Sequence, residues 1–264
     1  PEQFTSSTEG RIYRELGDAL SGMVESFSFT SLAEKILSTE GGAAVQTLSD
    51  AGRAVLVRRA LEELQDNVHY YHRHRRSAAF CQMAAQTIDE LKSAGLSGRQ
   101  LAQLAGACGA ESGKLSELAL IFQGYETLLA RSGMDPSDRL ELAGARLEEA
   151  LARHSLPEFL RDRAVFIDEF DTFNAPKKRL LGAMLAALPS VTVALCDDGA
   201  PLLPGDLSLF SGAKQVAAQL RQLARKNGAE VAVPQLLRKD LRHRNAPGLA
   251  AVAELLETGS CTAD

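Results

Sequence analysis

The spacing of apolar residues predicts helices along most of the chain. In the first segment, Ile12, Leu16 and Leu20 recur at helical intervals after a start that is rich in Ser and Thr. The pair Gly41 and Gly42 is typical of the end of a helix. The predicted helices span 5–20, 30–39, 49–67, 77–94, 97–107, 113–132, 135–154, 156–161, 175–188, 212–226 and 247–257.

Short apolar runs predict strands, most of them late in the chain. Residues 164–167 are uninterrupted Ala-Val-Phe-Ile, and we expect a strand that is buried on both faces. Similar runs follow at 191–195 and 230–233. Strands that alternate with helices in this way predict a parallel sheet. The alternating run at 24–29 predicts an early strand, so the long helical stretch is expected to be an insertion between that strand and the sheet.

Composition narrows the class of protein. The chain has 264 residues, of which 45% are hydrophobic and 24% charged, and these values favour a globular protein over a disordered one. The net charge of -5 argues against a basic field over the whole molecule, although it leaves room for a local DNA-binding groove. Since no run approaches the roughly 18 apolar residues of a membrane span, we expect no membrane association.

Cysteine usage and the N-terminus indicate a cytoplasmic protein. The chain begins at Pro1 rather than at a Met, and its first residues lack the apolar core of a signal peptide. We therefore expect a part of a longer, cytoplasmic protein. The cysteines are far apart and lack metal-binding spacing, which predicts free thiols. They are Cys81, Cys108, Cys196 and Cys261.

Acidic residues follow two of the predicted strands. Asp168 and Glu169 come directly after the first, and Asp197 and Asp198 after the second. Ligands of open parallel sheets bind at the carboxyl ends of the strands, and a nucleotidase uses carboxylates there to hold Mg²⁺ and to polarise water. The alternative is that these acids only end strands and cap the next helix. No GxxxxGK[ST] phosphate loop is present, so we expect this chain to bind nucleotide weakly or not at all.

Two basic segments are candidates for nucleic-acid contact. Residues 69–76 combine His, Tyr and Arg without an acid, and Arg73, Arg75 and Arg76 could follow a phosphate backbone while the tyrosines stack on bases. The alternative is a solvated helix end. The second segment, 238–244, is by itself typical of a surface loop.

Together these motifs resemble the first motor domain of superfamily 1 DNA helicases, and most closely the AddB family of helicase–nuclease subunits. In chain order they are PEQ-x-T at 1–5 with Glu9 (motif Ia), SF-x-x-LA at 28–33 with Gly41 and Gly42, Leu48-Ser49 with Gly52-Arg53, Tyr125 with Asp135 and Asp138, Asp168-Glu169-Phe170 (motif II), Cys196-Asp197-Asp198 (motif III) and Leu237 with Asp240-Leu241-Arg242 (motif IV). The chain departs from the family where motif III lacks Gln, where motif IV has Asp-Leu for Asn-Tyr, and where Glu169 replaces a frequent Gly.

The resemblance implies an α/β fold. Residues 1–30 and 162–264 would form a RecA-like P-loop NTPase core with a parallel sheet that lacks its Walker A segment, and 31–161 an inserted all-helical subdomain. The Walker A segment would precede Pro1 and a nuclease domain would follow Asp264.

The resemblance also implies a function and roles for individual residues. The parent protein would be an ATP-dependent DNA helicase/exonuclease subunit that uses ATP and Mg²⁺, binds DNA and an AddA-like subunit, and processes double-strand breaks. In it Asp168 would hold Mg²⁺, Glu169 would orient the hydrolytic water, Arg242, Asp197 and Asp198 would contact or sense the nucleotide, and Thr5, Ser28, Phe29 and Thr30 would contact DNA. A UvrD/Rep-type translocase and a non-catalytic helical scaffold are the alternatives.

Overall fold

The computed structural model describes residues 5–64, 66–109, 112–237 and 247–260. Helices dominate these ranges, as the periodicity predicts. The α-helices are α1 (Thr5–Ser21), α2 (Phe29–Glu40), α3 (Asp50–Glu63), α4 (Ala78–Ser93), α5 (Gly98–Ala105), α6 (Ser112–Ser132), α7 (Pro136–Ala152), α8 (Ala175–Ala187), α9 (Ser211–Lys226) and α10 (Pro247–Thr258), and the strands are β1 (Ala164–Ile167) and β2 (Ser190–Val193). Short 3₁₀ turns occupy His72–His74 and Glu158–Leu160.

Side-chain caps fix where several helices begin. Ser49, Ser77 and Asn174 each accept a hydrogen bond from a backbone N–H in the first turn of α3, α4 and α8. Such caps satisfy N–H groups that have no partner inside the helix. At the C-terminal end of α2, Gly41 and Gly42 have φ values of 94° and 113°, which favour glycine. The predicted end of this helix is therefore confirmed.

The described helices enclose two hydrophobic cores. The first lies among α3, α4, α5 and α6, where Phe122 and Tyr125 are fully buried. The second joins α2, α7 and α8 to the sheet through side chains such as Ile36, Leu147 and Leu180. α2 precedes the helices of the first core along the chain and α7 follows them, and both pack with β1 in the second core. The predicted domain boundaries stay a prediction.

The sheet is small and covered on one face. β1 and β2 run parallel, with Ala164 opposite Ser190 and Ile167 opposite Val193, which confirms the parallel pairing. Ile167 is buried, but Phe166 is 75% exposed. The expectation that this strand is buried on both faces is wrong for the described residues, because successive side chains point to opposite faces and the helices cover only one of them.

Two predicted strands are not formed in the described ranges. At 24–29, Ser28 caps α2 instead: its hydroxyl accepts from Ser31 N–H at 3.1 Å, and Ser31 Oγ accepts from Ser28 N–H at 2.8 Å. This capping box places Phe29 in the helix despite the alternating pattern. Residues 230–233 have no regular structure, and Val233 is 88% exposed, because no described strand pairs with them.

A buried carboxylate connects four helices of the structure. The side chain of Asp135, at the start of α7, is 0% exposed. It accepts a hydrogen bond of 2.6 Å from the Tyr125 hydroxyl on α6 and one of 2.8 Å from Lys92 Nζ on α4. Arg53 Nε on α3 lies 3.4 Å from the same carboxylate. Three residues that support the family resemblance, Arg53, Tyr125 and Asp135, thus meet in one polar cluster.

Further contacts complete this cluster. Arg53 donates to the carbonyl oxygen of Ala85 at 3.2 Å and lies 3.4 Å from Asp89. Lys92 also bonds Asp138, the residue that caps α7 together with Asp135. Burial, and then the hydrogen bond to Asp135, raise the pKa of Tyr125, so its hydroxyl stays protonated and acts as a donor. The carboxylate is therefore both paired and hydrogen-bonded, as a buried charge requires.

We predict that this cluster contributes strongly to stability. Replacing Asp135 by Asn leaves the cations Arg53 and Lys92 without their central partner, and should lower the free energy of unfolding by about 3 to 5 kcal/mol. Tyr125→Phe removes one hydrogen bond to a charged group and should cost about 2 kcal/mol. Urea denaturation measures both values.

The control is the exposed pair between Arg58 and Glu62, whose side chains are 56% and 55% exposed. Arg58→Ala should change the free energy of unfolding by less than about 0.5 kcal/mol. A stability of Asp135→Asn equal to that of the unmodified chain would contradict the prediction.

Candidate nucleic-acid interface

The acidic pair after β1 is exposed at the carboxyl end of the strand. Asp168 and Glu169 both lie on the surface, and the Glu169 N–H donates to Asp168 Oδ1 at 2.9 Å. Glu169 has a φ of 62°, an uncommon value for a residue other than glycine. The local hydrogen bond and this backbone conformation give the chain a sharp turn directly after the strand.

The acids after β2 form hydrogen bonds with the following loop, and one of them forms an ion pair. Asp197 accepts from the Gly199 N–H at 3.1 Å, and Asp198 accepts from the Ala200 N–H at 2.9 Å. Asp198 also lies 3.0 Å from Lys214 Nζ on α9. The side chain of Lys214 is only 5% exposed and is also close to Asp206. This lysine, which the sequence analysis did not single out, fixes the loop after β2 to α9.

The described acids do not make up a complete nucleotide site. Among the residues that the structure describes, no group of three or more His, Cys, Asp or Glu side chains could hold a metal ion. Asp168 and Glu169 supply carboxylates, which suit Mg²⁺, but no GxxxxGK[ST] motif occurs within residues 1–264, and Lys214 is already paired with acids. The assignments of Asp168 to Mg²⁺ and of Glu169, Asp197 and Asp198 to nucleotide chemistry stay predictions.

The predicted DNA contacts near the start of α2 differ in exposure. Ser28 and Phe29 are 7% and 9% exposed, whereas Thr30 is on the surface. The Phe29 ring packs edge-on against Phe170 at 5.0 Å, directly after the acidic pair. Lys177 Nζ lies 5.5 Å from the centre of the Phe29 ring. Ser28 and Phe29 thus build the contact between α2 and the turn after β1, and only Thr30 of the three is open to a ligand.

The side chains of two other predicted site residues lie outside the described part of the structure. Thr5 begins α1, and its side chain is outside the described part of the structure, as is the whole of Arg242. Of the cysteines, Cys81 is buried, while Cys108 and Cys196 are exposed, and all three are free thiols. Cys261 lies outside the described residues.

The basic segment 69–76 forms the connection between α3 and α4, which we call the basic loop. Arg73 and Arg76 are exposed, and Arg75 is half-buried with its Nη1 at 3.3 Å from His72 Nδ1. The segment is a turn with a 3₁₀ centre rather than the end of a helix. Its arginines are presented on a short connection between two packed helices.

One buried acid beneath the basic loop holds its backbone. The Glu117 side chain, on α6, accepts hydrogen bonds of 2.7 to 3.2 Å from the backbone N–H groups of His69, Tyr70 and Tyr71. Glu117 is 6% exposed. The sequence analysis missed this residue, and the available signal was an acid set between the apolar residues Leu115 and Leu118 of α6. Since the charge of Glu117 is bonded to backbone amides, this acid is engaged with the loop backbone rather than with the loop arginines.

Comparison with known proteins identifies the family. The family model described as ADDB, N-terminal, matches residues 1–253, and the chain belongs to this family. The resemblance inferred from the motifs is confirmed.

Curated relatives agree with this assignment. The chain is similar to the B subunit of the ATP-dependent helicase/deoxyribonuclease of Desulforudis audaxviator, with 34% identity over 259 residues, which are 95% of this chain and 22% of that protein. The protein of the same name from Moorella thermoacetica is 32% identical over 262 residues, again 95% of this chain and 22% of the relative. The chain therefore spans about a fifth of the length of these relatives.

None of the helices in the described ranges has the length and apolar character that crossing a bilayer demands.

The pairing of Asp198 predicts a measurable titration. The Ala200 N–H and then Lys214 hold the pKa of the Asp198 carboxyl below its ordinary value of 3.8. A lowered pKa means that the charged form stabilises the fold above pH 3.8, and that this contribution is lost as pH falls through the lower, folded value. Lys214→Met removes the second cause only, so the pKa should rise part of the way towards 3.8 in a carboxyl ¹³C NMR titration.

The matched control is Lys178→Met. The Lys178 amine bonds Gln219 Oε1 at 2.7 Å and no acid, so its loss should leave the titration of Asp198 unchanged. An identical Asp198 pKa in Lys214→Met and the unmodified chain would contradict the predicted pairing.

Proposed function

We propose that this chain is the DNA-binding N-terminal part of an ATP-dependent helicase/deoxyribonuclease subunit. Family membership and the names of the relatives support this proposal. In such a protein the chain would help to process DNA ends for recombinational repair. The relatives are named as subunits, which supports a second, AddA-like subunit as the partner.

The observation that carries the DNA-binding proposal is the basic loop. Its arginines are exposed or half-buried, no acid interrupts residues 69–76, and Glu117 fixes the backbone from below. Because the backbone that carries these cations is already held by hydrogen bonds, contact with phosphates costs little backbone conformational entropy. The net charge of -5 then limits DNA contact to local surfaces such as this loop.

We further propose that the sheet belongs to a RecA-like core. Two features support this assignment: β1 and β2 are parallel and joined through α8, and both are followed by acids at the same edge of the sheet. Ligands of parallel sheets bind at this edge. The exposed face of β1 at Phe166 leaves room for further elements of such a core.

Salt dependence of DNA binding tests the function of the basic loop. Each phosphate contact on single-stranded DNA contributes about 0.7 to the slope of log affinity against log salt concentration. If all three arginines contact phosphates, replacing Arg73, Arg75 and Arg76 by Ala should reduce the slope by about 2. Fluorescence anisotropy with a labelled oligonucleotide gives the affinity at each salt concentration.

A variant of equal charge serves as the control. Arg99, Arg131 and Arg221 are exposed on α5, α6 and α9, away from the basic loop in sequence. Replacing these three by Ala changes the net charge equally but should leave the slope nearly unchanged. Equal slopes for the two triple variants would overturn the proposal that the basic loop binds DNA.

A second candidate function, nucleotide hydrolysis, is supported by the acids that follow both strands. We propose Asp168 and Glu169 as its residues, on the resemblance to motif II and their position at the end of β1. Glu169→Gln removes a charge with little change of shape. It should lower DNA-stimulated ATP hydrolysis by the intact protein about 100-fold or more. Unchanged turnover would leave the pair as a strand end and favour a non-catalytic scaffold.

A further inference from the structure

An open cleft lies beside the basic loop, between the loop and the start of α4. Its volume is about 410 Å³. Aromatic and aliphatic groups make up most of its wall, and the cations are few. The residues that line it include Tyr70, Tyr71, His74, Phe80, Met83 and Lys114.

The aromatic side chains of the cleft form a fixed stack. The rings of Tyr71 and Phe80 are 5.3 Å apart and inclined by 29°. The His74 ring is 5.6 Å from Phe80 with a similar inclination of 30°. Phe80 and Tyr71 also pack against the first core, so the wall is anchored to α4 and its neighbours. A planar ligand would meet a surface that is already in place.

Two further side chains of the cleft are more than half exposed. Tyr70 and Met83 are each 57% exposed, although both are large and apolar in most of their surface. The Tyr70 ring lies over Gly113, where a Cβ atom would approach it to 2.9 Å. The glycine therefore allows the ring to rest on α6 and to border the cleft.

A cation in the cleft wall and two more in the adjoining chain indicate the kind of ligand. Arg75 and Arg76 directly follow His74 along the chain, and Lys114 lines the cleft itself. An aromatic surface flanked by cations matches a nucleotide, which combines a flat, apolar base with an anionic phosphate. Only an unpaired base exposes the face that stacking requires, so duplex DNA does not meet the same need.

Glu117 holds the loop segment that carries both the aromatic side chains of the cleft and the neighbouring cations. Glu117 bonds the backbone N–H groups of residues 69–71, and Tyr70 and Tyr71 project from this segment. The same segment continues into the arginines. A ligand that binds here orders little of the chain, which favours affinity.

We propose that the cleft bordered by Tyr70, Phe80 and Met83 binds an unpaired base of single-stranded DNA, while Arg75 and Arg76 contact the adjoining phosphates. This inference rests on the proposed DNA-binding function and adds the state of the DNA and the residues that receive the base. It makes Tyr70 and Met83 contact residues for the base and Glu117 a positioning residue.

The test measures the affinity of the intact protein for two oligonucleotides of equal length and charge. One is oligothymidylate, and in the other abasic sites replace the thymidines. Tyr70→Ala should weaken binding of oligothymidylate by about tenfold, and Met83→Ala should weaken it by less. Binding of the abasic oligomer should change less than about twofold, because it lacks the stacking partner. Tyr70→Phe should restore the affinity for oligothymidylate, since the ring is retained.

Leu104→Ala provides a matched control, because Leu104 is an apolar side chain, 50% exposed, on α5 and is not among the residues that line the cleft. It should leave both affinities unchanged. An equal loss on both oligomers in Tyr70→Ala would assign the tyrosine to the shape of the loop and overturn the inference. No loss on either oligomer overturns it as well, as expected if a partner protein rather than a base occupies the cleft.

The outcome separates this inference from the proposed function. If the arginine variant reduces the salt slope while Tyr70→Ala has no selective effect, the basic loop binds DNA and only the base-binding cleft is wrong. If the unmodified intact protein binds neither oligomer, both proposals fail.

Discussion

The structure depends on one buried charge, the carboxylate of Asp135. It is fully enclosed, and it is stabilised by the Tyr125 hydroxyl, the Lys92 amine and the nearby Arg53 guanidinium. A charge without these partners would be costly in a protein interior, so the four helices that supply them must pack together or not at all. The cluster thereby fixes α3, α4, α6 and α7 relative to one another. Since α7 also packs in the second core, the same carboxylate links the helices of the first core to the helices that support the sheet.

The candidate DNA-binding surface follows from this arrangement. The basic loop joins α3 to α4, the two helices that carry Arg53 and Lys92. Beneath the loop runs α6, which supplies both Tyr125 to the buried cluster and Glu117 to the loop backbone. The two acids act in the same way, because each one is buried and each holds a neighbouring element through charge-assisted hydrogen bonds. The loop is therefore a rigid projection of the helical core, although its own side chains are mostly exposed.

The sequence predicted the helices well because their periodicity and caps are local. The starts at Ser49 and Ser77, and the stop at Gly41, depend on residues within one turn. The prediction of an early strand was wrong because two local signals conflict there. The alternation at 24–29 favours a strand, whereas the capping box of Ser28 and Ser31 favours a helix, and the helix forms. Lys92 lies 43 positions from its partner Asp135, and His69 of the basic loop lies 48 positions from Glu117. No local sequence pattern could predict pairs so far apart. The burial of Phe166 was mispredicted because an apolar run does not say how many neighbours a strand has.

We propose that DNA lies along the basic loop between α3 and α4. Photochemical crosslinking of the intact protein to single-stranded DNA that carries 5-iodouracil, followed by mass spectrometry of the peptides, tests it directly. We expect adducts within residues 69–83, which contain the arginines and the exposed side chains of Tyr70 and Met83. Efficient crosslinking that falls elsewhere in the protein, with none in this segment, would contradict it.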